Sequence, residues 1–128
     1  QKKYDDALSR LNLIIERDPK NLSALSTIGD IKVFKGNFLE AIEIFDKIIQ
    51  INPKLFLIYN NRGFCLMRIH KYEESILNFQ KAIQYKEDFS EAYNNLGLAL
   101  KKLGKSLEAK KNFLSATQYK KKLVTKKI

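Results

Sequence analysis

The chain has 128 residues, is 45% apolar and 30% charged, and carries a formal charge of +10. Its length supports one domain with a core of its own, while its longest unbroken apolar run, residues 55–59, is far short of the about 20 residues that cross a membrane. A single cysteine and a single histidine exclude an intrachain disulfide and a cysteine-rich metal site.

Apolar residues recurring at three- and four-residue steps predict an all-α chain of seven helices. The first, near 5–17, carries Leu8, Leu11 and Ile15 and stops before Pro19. The second, near 23–35, breaks at Gly36-Asn37. The third, near 39–51, ends before Pro53. A fourth near 57–69 breaks around His70-Lys71, and a fifth follows near 73–85. The sixth, near 91–103, aligns Ala92, Leu96, Ala99, Leu100 and Leu103 and turns at Gly104-Lys105. The seventh, near 107–122, carries Ala109, Phe113 and Ala116. Lys121 stands where a closing proline would, so this helix is expected to run on through Tyr119 toward Leu123. Asp5-Asp6, Glu40 and Glu73-Glu74 fall in first turns, where the helix dipole favours negative charge.

The C-terminal stretch holds most of the charge. Residues 101–128 contain ten lysines and one acid, Glu108, a balance of +9 that leaves +1 for residues 1–100. Lysine is a flexible point charge, whereas fixed-geometry reading of bases or phosphates favours arginine. Nucleic acid is therefore the weaker partner class, with the basic C-terminal third as its one support. The chain lacks an initial methionine and opens in mid-helix, as a segment of a longer protein would. A missing targeting signal then carries no information, and the cytoplasm is only the default compartment.

The helices repeat with a period of 34 residues. Gly29, Gly63 and Gly97 share that step, as do Phe45, Phe79 and Phe113. Ala7, Ala41, Ser75 and Ala109 keep it too, and so do Pro19 with Pro53 and Tyr59 with Tyr93. The units read as 22–55, 56–89 and 90–123 within one array, with 1–21 the second half of a preceding unit and 124–128 a short tail. Each unit is a helical hairpin that cannot bury its apolar stripe alone, so neighbours must stack. The glycines are expected to admit close approach, with Ala41, Ser75 and Ala109 facing them. Loss of a gap-filling Phe ring would cost about 3–5 kcal/mol.

On these columns the chain resembles the tetratricopeptide repeat family. The third unit reads AYNNLGLAL…EAKKNF, the second IYNNRGFCL…ESILNF and the first ALSTIGDIK…EAIEIF…NP. Lys32 departs from the family's apolar preference, and Glu87 and Lys121 replace the closing proline. The resemblance implies an α-solenoid of antiparallel hairpins, wound as a right-handed superhelix with its first helices lining a concave face.

Chemical motifs are sparse. Cys65 shares a column with Ile31 and Ala99, which makes it a core residue, and His70 lies in a turn. The pair lacks the geometry of an activated nucleophile and its base. Leu103-Gly104-Lys105-Ser106 lacks the upstream glycine and strand of a phosphate-binding loop. No enzymatic role, cofactor or metal site is expected. The expected role is a protein–protein interaction module, a scaffold or adaptor holding an extended or helical peptide.

The resemblance places Thr27, Asp30, Phe34, Leu57, Asn61, Phe64, Met67, Arg68, Asn95, Leu98, Lys101 and Lys102 on the concave face. Asn61 and Asn95 form a two-rung ladder of amides, each able to pair with both polar groups of a peptide backbone, with Thr27 in the same column. Phe34, Leu57, Phe64, Met67 and Leu98 supply an apolar floor. Some members of the family clamp the C-terminal carboxylates of chaperones. The clamp columns here hold Ser26 and Asp30, then Asn61, then Glu91 and Asn95, so only Asn61 fits and the two acids repel such a tail. Self-association is expected through the terminal helices, at Leu8, Leu11 and Ile15 or at Phe113 and Leu123.

Overall fold

The computed structural model describes residues 2–127, so Gln1 and Ile128, the outer ends of the 1–21 half-unit and the 124–128 tail, lie outside it. It contains α1 (Lys2–Arg17), α2 (Leu22–Phe34), α3 (Phe38–Ile51), α4 (Phe56–Arg68), α5 (Tyr72–Tyr85), α6 (Ser90–Lys102) and α7 (Ser106–Lys127). No strand occurs among the described residues, and the fold is all-α, a solenoid type built from helical hairpins. The chain divides into two units, residues 1–54 and 55–128.

In the first unit α1 packs on α2 and α2 on α3. Asn21 caps α2, its side chain accepting the Ala24 N–H at 2.9 Å. Leu25, Ile28, Phe45 and Ile48 are buried. Lys32 keeps its place beside these apolar residues by pairing with Glu40 at 2.9 Å. In the second unit α4 packs on α5, α5 on α6, α6 on α7 and α4 on α6. Phe79, Leu96, Ala99, Leu100 and Ala109 form its core, with Met67, Ile76, Ile83 and Phe113 packed against them.

Each recurring glycine faces an aromatic ring. A Cβ added at Gly29 would meet Phe45 Cε1 at 2.5 Å, one at Gly63 would meet Phe79 Cε1 at 2.6 Å, and one at Gly97 would meet Phe113 Cε1 at 2.5 Å. The nearest atoms to a Cβ in the glycine column are therefore those of the Phe column in the same hairpin. Tyr59 stacks on Tyr85 at 5.8 Å, and one period later Tyr93 stacks on Tyr119 at 5.2 Å.

The ends of the second helices differ for a local reason. α5 stops without a proline because Lys86 turns extended and the next residues are held. Phe89 is buried and packs edge-on against Phe56 at 5.0 Å, while the Tyr93 hydroxyl donates to the Glu87 carbonyl at 2.9 Å. α7 shows no such turn and continues to Lys127. The expected 107–122 helix and short tail are thus corrected to one long helix. α1 likewise begins at Lys2 rather than near residue 5.

The glycine–ring fit yields a graded prediction. Gly63→Ala should destabilise the chain by about 1–3 kcal/mol, because the fully buried Phe79 ring has nowhere to move. Gly97→Ala should be nearly neutral, because Phe113 is only half-buried and can shift while alanine's better helix propensity offsets the strain. Thermal unfolding of the two variants checks this; equal losses would contradict it.

Candidate functional site

The expected groove residues fall in both units. Thr27, Asp30 and Phe34 lie in the first, on α2. Thr27 donates its hydroxyl to the Ser23 carbonyl at 2.9 Å, within its own helix. Phe34 is 73% exposed and packs beside Tyr4 with ring centroids 5.0 Å apart. Asp30 is exposed as a residue, yet neighbouring groups withdraw enough water from its carboxyl to raise its pKa above the usual value.

The other nine lie in the second unit, and the fold gathers eight of them into two neighbouring depressions on α4 and α6. An open groove of about 760 Å³ is lined by Asn61 and Phe64 from α4 and Asn95 from α6, together with Asn60, Asn94 and Glu91. Phe113, Ala116, Thr117, Lys120 and Leu123 of α7 form its far wall. A second depression of about 670 Å³ is lined by Met67, Arg68, Leu98, Lys101 and Lys102, with His70 and Tyr72 beside them. Arg68 spans the two, its guanidinium carbon 5.8 Å from the Phe64 ring centre. Leu57 is exposed on α4 but lines neither depression.

The amide ladder differs from the expected form. Asn95 Nδ2 donates to Asn60 Oδ1 at 3.1 Å, and Asn60 is buried. One N–H of the second rung therefore ties α6 to α4. Asn61 is half-buried in the groove. The floor is firm, because Met67 packs on the core from one side while it lines the depression on the other.

Sequence reasoning missed the α7 wall and the His70–Tyr72 corner. The corner had a signal. Its turn column reads Gly36, His70, Gly104, and all three adopt positive φ, at 79°, 64° and 78°. A histidine replacing glycine in a left-handed conformation marks a place where a side chain is retained despite its conformational cost. The α7 wall had no comparable signal, since its extent depends on where the last helix ends.

The end groove also shows what a covered hairpin face looks like. Asn60 is 4% exposed and Phe89 8% exposed. One period later Asn94 is exposed and Leu123 is 55% exposed. At α1, Leu8, Leu11 and Ile15 are half-buried, whereas Leu13 and Ile14 are exposed. Leu8, Leu11 and Ile15, expected at an N-terminal contact, thus sit on a partly covered stripe, and Leu13 and Ile14 add exposed apolar surface to the same helix.

Among the described residues no group of three His, Cys, Asp or Glu side chains could hold a metal ion, and no helix is long and apolar enough to cross a membrane. Cys65 is fully buried, and burial pushes its thiol pKa up to about 12.

Family profiles for the tetratricopeptide repeat match residues 22–55 and 90–123, and a second repeat profile of the same kind matches residues 70–104. Among solved structures, the crystal structure of MamA is 24% identical over 95% of this chain and 71% of that one, with a TM-score of 0.88. MamA 41-end from Desulfovibrio magneticus RS-1 is 15% identical over 94% of this chain and 68% of that one, with a TM-score of 0.87. These likenesses speak to the fold. Among curated proteins no sequence matches the chain.

The state of Cys65 gives a direct check. A thiol reagent at pH 8 should leave the folded chain unlabelled and label it at once in denaturant, since thiolate and access are both missing in the native state. Rapid native labelling would contradict the burial and reopen a nucleophilic role.

Proposed function

We propose that this chain, which belongs to the tetratricopeptide repeat family, holds an extended or helical segment of another protein on the face formed by α4 and α6. The family's repeats are protein–protein interaction modules. The observation that carries the finer reading is the combination, within one unit, of the groove amides of Asn61 and Asn95 with a firm apolar floor of Phe64, Met67 and Leu98. Amides pair with a peptide backbone whatever its sequence, and an adaptable Met with neighbouring apolar groups accepts varied side chains. Repeats at 22–55, 56–89 and 90–123 within a single array, after a half-repeat at 1–21, belong to the same reading. So does a non-enzymatic, scaffold-type role.

A clamp for C-terminal carboxylates is disfavoured. Glu91 lines the groove beside Asn95, so a terminal carboxylate laid there meets like charge. The second reading is a polyanion surface on α7, supported by its exposed Lys110, Lys111, Lys120, Lys121, Lys122 and Lys126. Salt separates the two. Peptide affinity should fall by about tenfold or less between about 50 and 200 mM salt, whereas a nucleic acid contacting several phosphates loses about a thousandfold or more. Amidating the C-terminus of a bound peptide should change nothing. A strict need for the free carboxylate would overturn the groove as drawn here.

The exposed Leu123 of α7 and the exposed Leu13–Ile14 pair also favour self-association. Sedimentation at high concentration should show chains pairing, and Leu123→Glu should reduce the pairing if the α7 end is used. A monomer at every concentration would count against it.

A further inference from the structure

The depression at the C-terminal ends of α4 and α6 differs in charge from the rest of the face. We propose that it selects an acidic stretch of the partner: an apolar side chain followed by carboxylates, within the segment held by the α4–α6 face. The inference rests on the peptide-binding reading and gives that peptide a chemistry and a direction.

Three observations carry it. The depression has an apolar floor, Met67 and Leu98, and three cations around it, Arg68, Lys101 and Lys102, with no carboxylate in its lining. Among the described residues neither Lys101 nor Lys102 is paired with an acid. Cations in a last turn also answer the helix dipole, but that role does not require an apolar floor between them. The first hairpin shows the contrast, because the cation in the last turn of α2, Lys32, is already occupied by Glu40 at 2.9 Å.

The second observation is the sign change along α6. Glu91 opens the helix and lines the amide groove, while Lys101 and Lys102 close it and line the basic depression. Residues 91 and 101 are separated by about 15 Å of helix at 1.5 Å per residue. A segment lying along α6 therefore meets Glu91 at one end, with Lys120 on the opposite wall, and only positive charge at the other. Its acidic end belongs over Lys101 and Lys102.

The third is His70. The two other turns in its column use glycine for the same left-handed backbone. What glycine cannot provide is a side chain at the rim. The His70 ring lies edge-on to Tyr72 with centroids 5.8 Å apart, and Nδ1 is 2.7 Å from the Tyr72 hydroxyl. With Nδ1 accepting that hydroxyl's proton, Nε2 carries the ring hydrogen and offers a donor to an incoming carboxylate. The residue thus gives up some conformational ease for a group that suits the same ligand as its lysine neighbours.

The test uses a short fluorescent peptide in which a leucine is followed by glutamates, and the same peptide with glutamines. The chain should bind the glutamate peptide about tenfold more tightly or better, as expected for a few semi-exposed charge pairs. Lys101→Gln with Lys102→Gln should abolish the preference, bringing the affinity for the glutamate peptide down to that for the glutamine peptide. Those positions are exposed, so the double variant should fold. His70→Gly should raise the unfolding midpoint, by relieving the left-handed residue, while weakening the glutamate peptide severalfold. Equal binding of both peptides, or a preference that survives the lysine substitutions, overturns the acidic pocket but leaves the groove reading intact. If neither peptide binds, the pocket proposal falls. If in addition a single-stranded oligonucleotide binds and loses affinity in the lysine double variant, the site is a polyanion surface and the groove reading falls with it.

Discussion

The structure depends on one contact made three times: a phenylalanine ring lying on the bare backbone of a glycine. Gly29 with Phe45, Gly63 with Phe79 and Gly97 with Phe113 set the spacing of the two helices in each hairpin. A side chain at Gly29 or Gly63 would collide with a ring that is fully buried and has no room to shift. A smaller residue at the phenylalanine would leave a hole, since Phe45 and Phe79 are wholly buried. The polar groups near this contact are satisfied locally. Ser75 donates to the Tyr72 carbonyl at 2.7 Å, and Asn78 bonds both Arg62 and the Glu74 carbonyl. Close packing and polar satisfaction thus act at the same place.

That interlock decides what is left for function. It spends one face of each first helix on the partner helix. In the second unit the Asn60–Asn95 bond and the contact of α4 with α6 then hold these two helices side by side. On their remaining surface Met67 is backed by the core, while Leu98, Lys101 and Lys102 are exposed. Cys65 belongs to the buried side of α4, where burial pushes its thiol pKa up to about 12.

Much of the fold was legible in the sequence because a 34-residue period writes the same contact several times. Helix number, hairpin turns and the Gly, Phe and Tyr columns follow from it. The identity of the glycine's partner did not, because periodicity shows which positions recur and not which of them touch. Helix ends were least legible at the second helices without a closing proline: α5 stops where Phe89 and Tyr93 hold the turn, while α7 extends to Lys127. Of the site, Asn61, Phe64, Met67, Arg68, Asn95, Leu98, Lys101 and Lys102 come together in the second unit. The engagement of Asn95 by Asn60 was hidden, since a side-chain bond between helices leaves no trace in spacing. His70 was visible as a break in a glycine column, but its rim position needed the fold.

The central claim is that a partner segment lies along α4 and α6. The most direct measurement is a titration of the isotope-labelled chain with a bound peptide, followed by amide and side-chain NMR signals. The account predicts that the Asn61 and Asn95 amides and the signals of Phe64, Met67 and Leu98 shift together with one affinity. Leu77 on α5 and Lys110 and Lys111 on α7, exposed but outside both depressions, should stay in place. Shifts confined to α7 or to the α5 surface, with the α4–α6 face unmoved, would contradict the account.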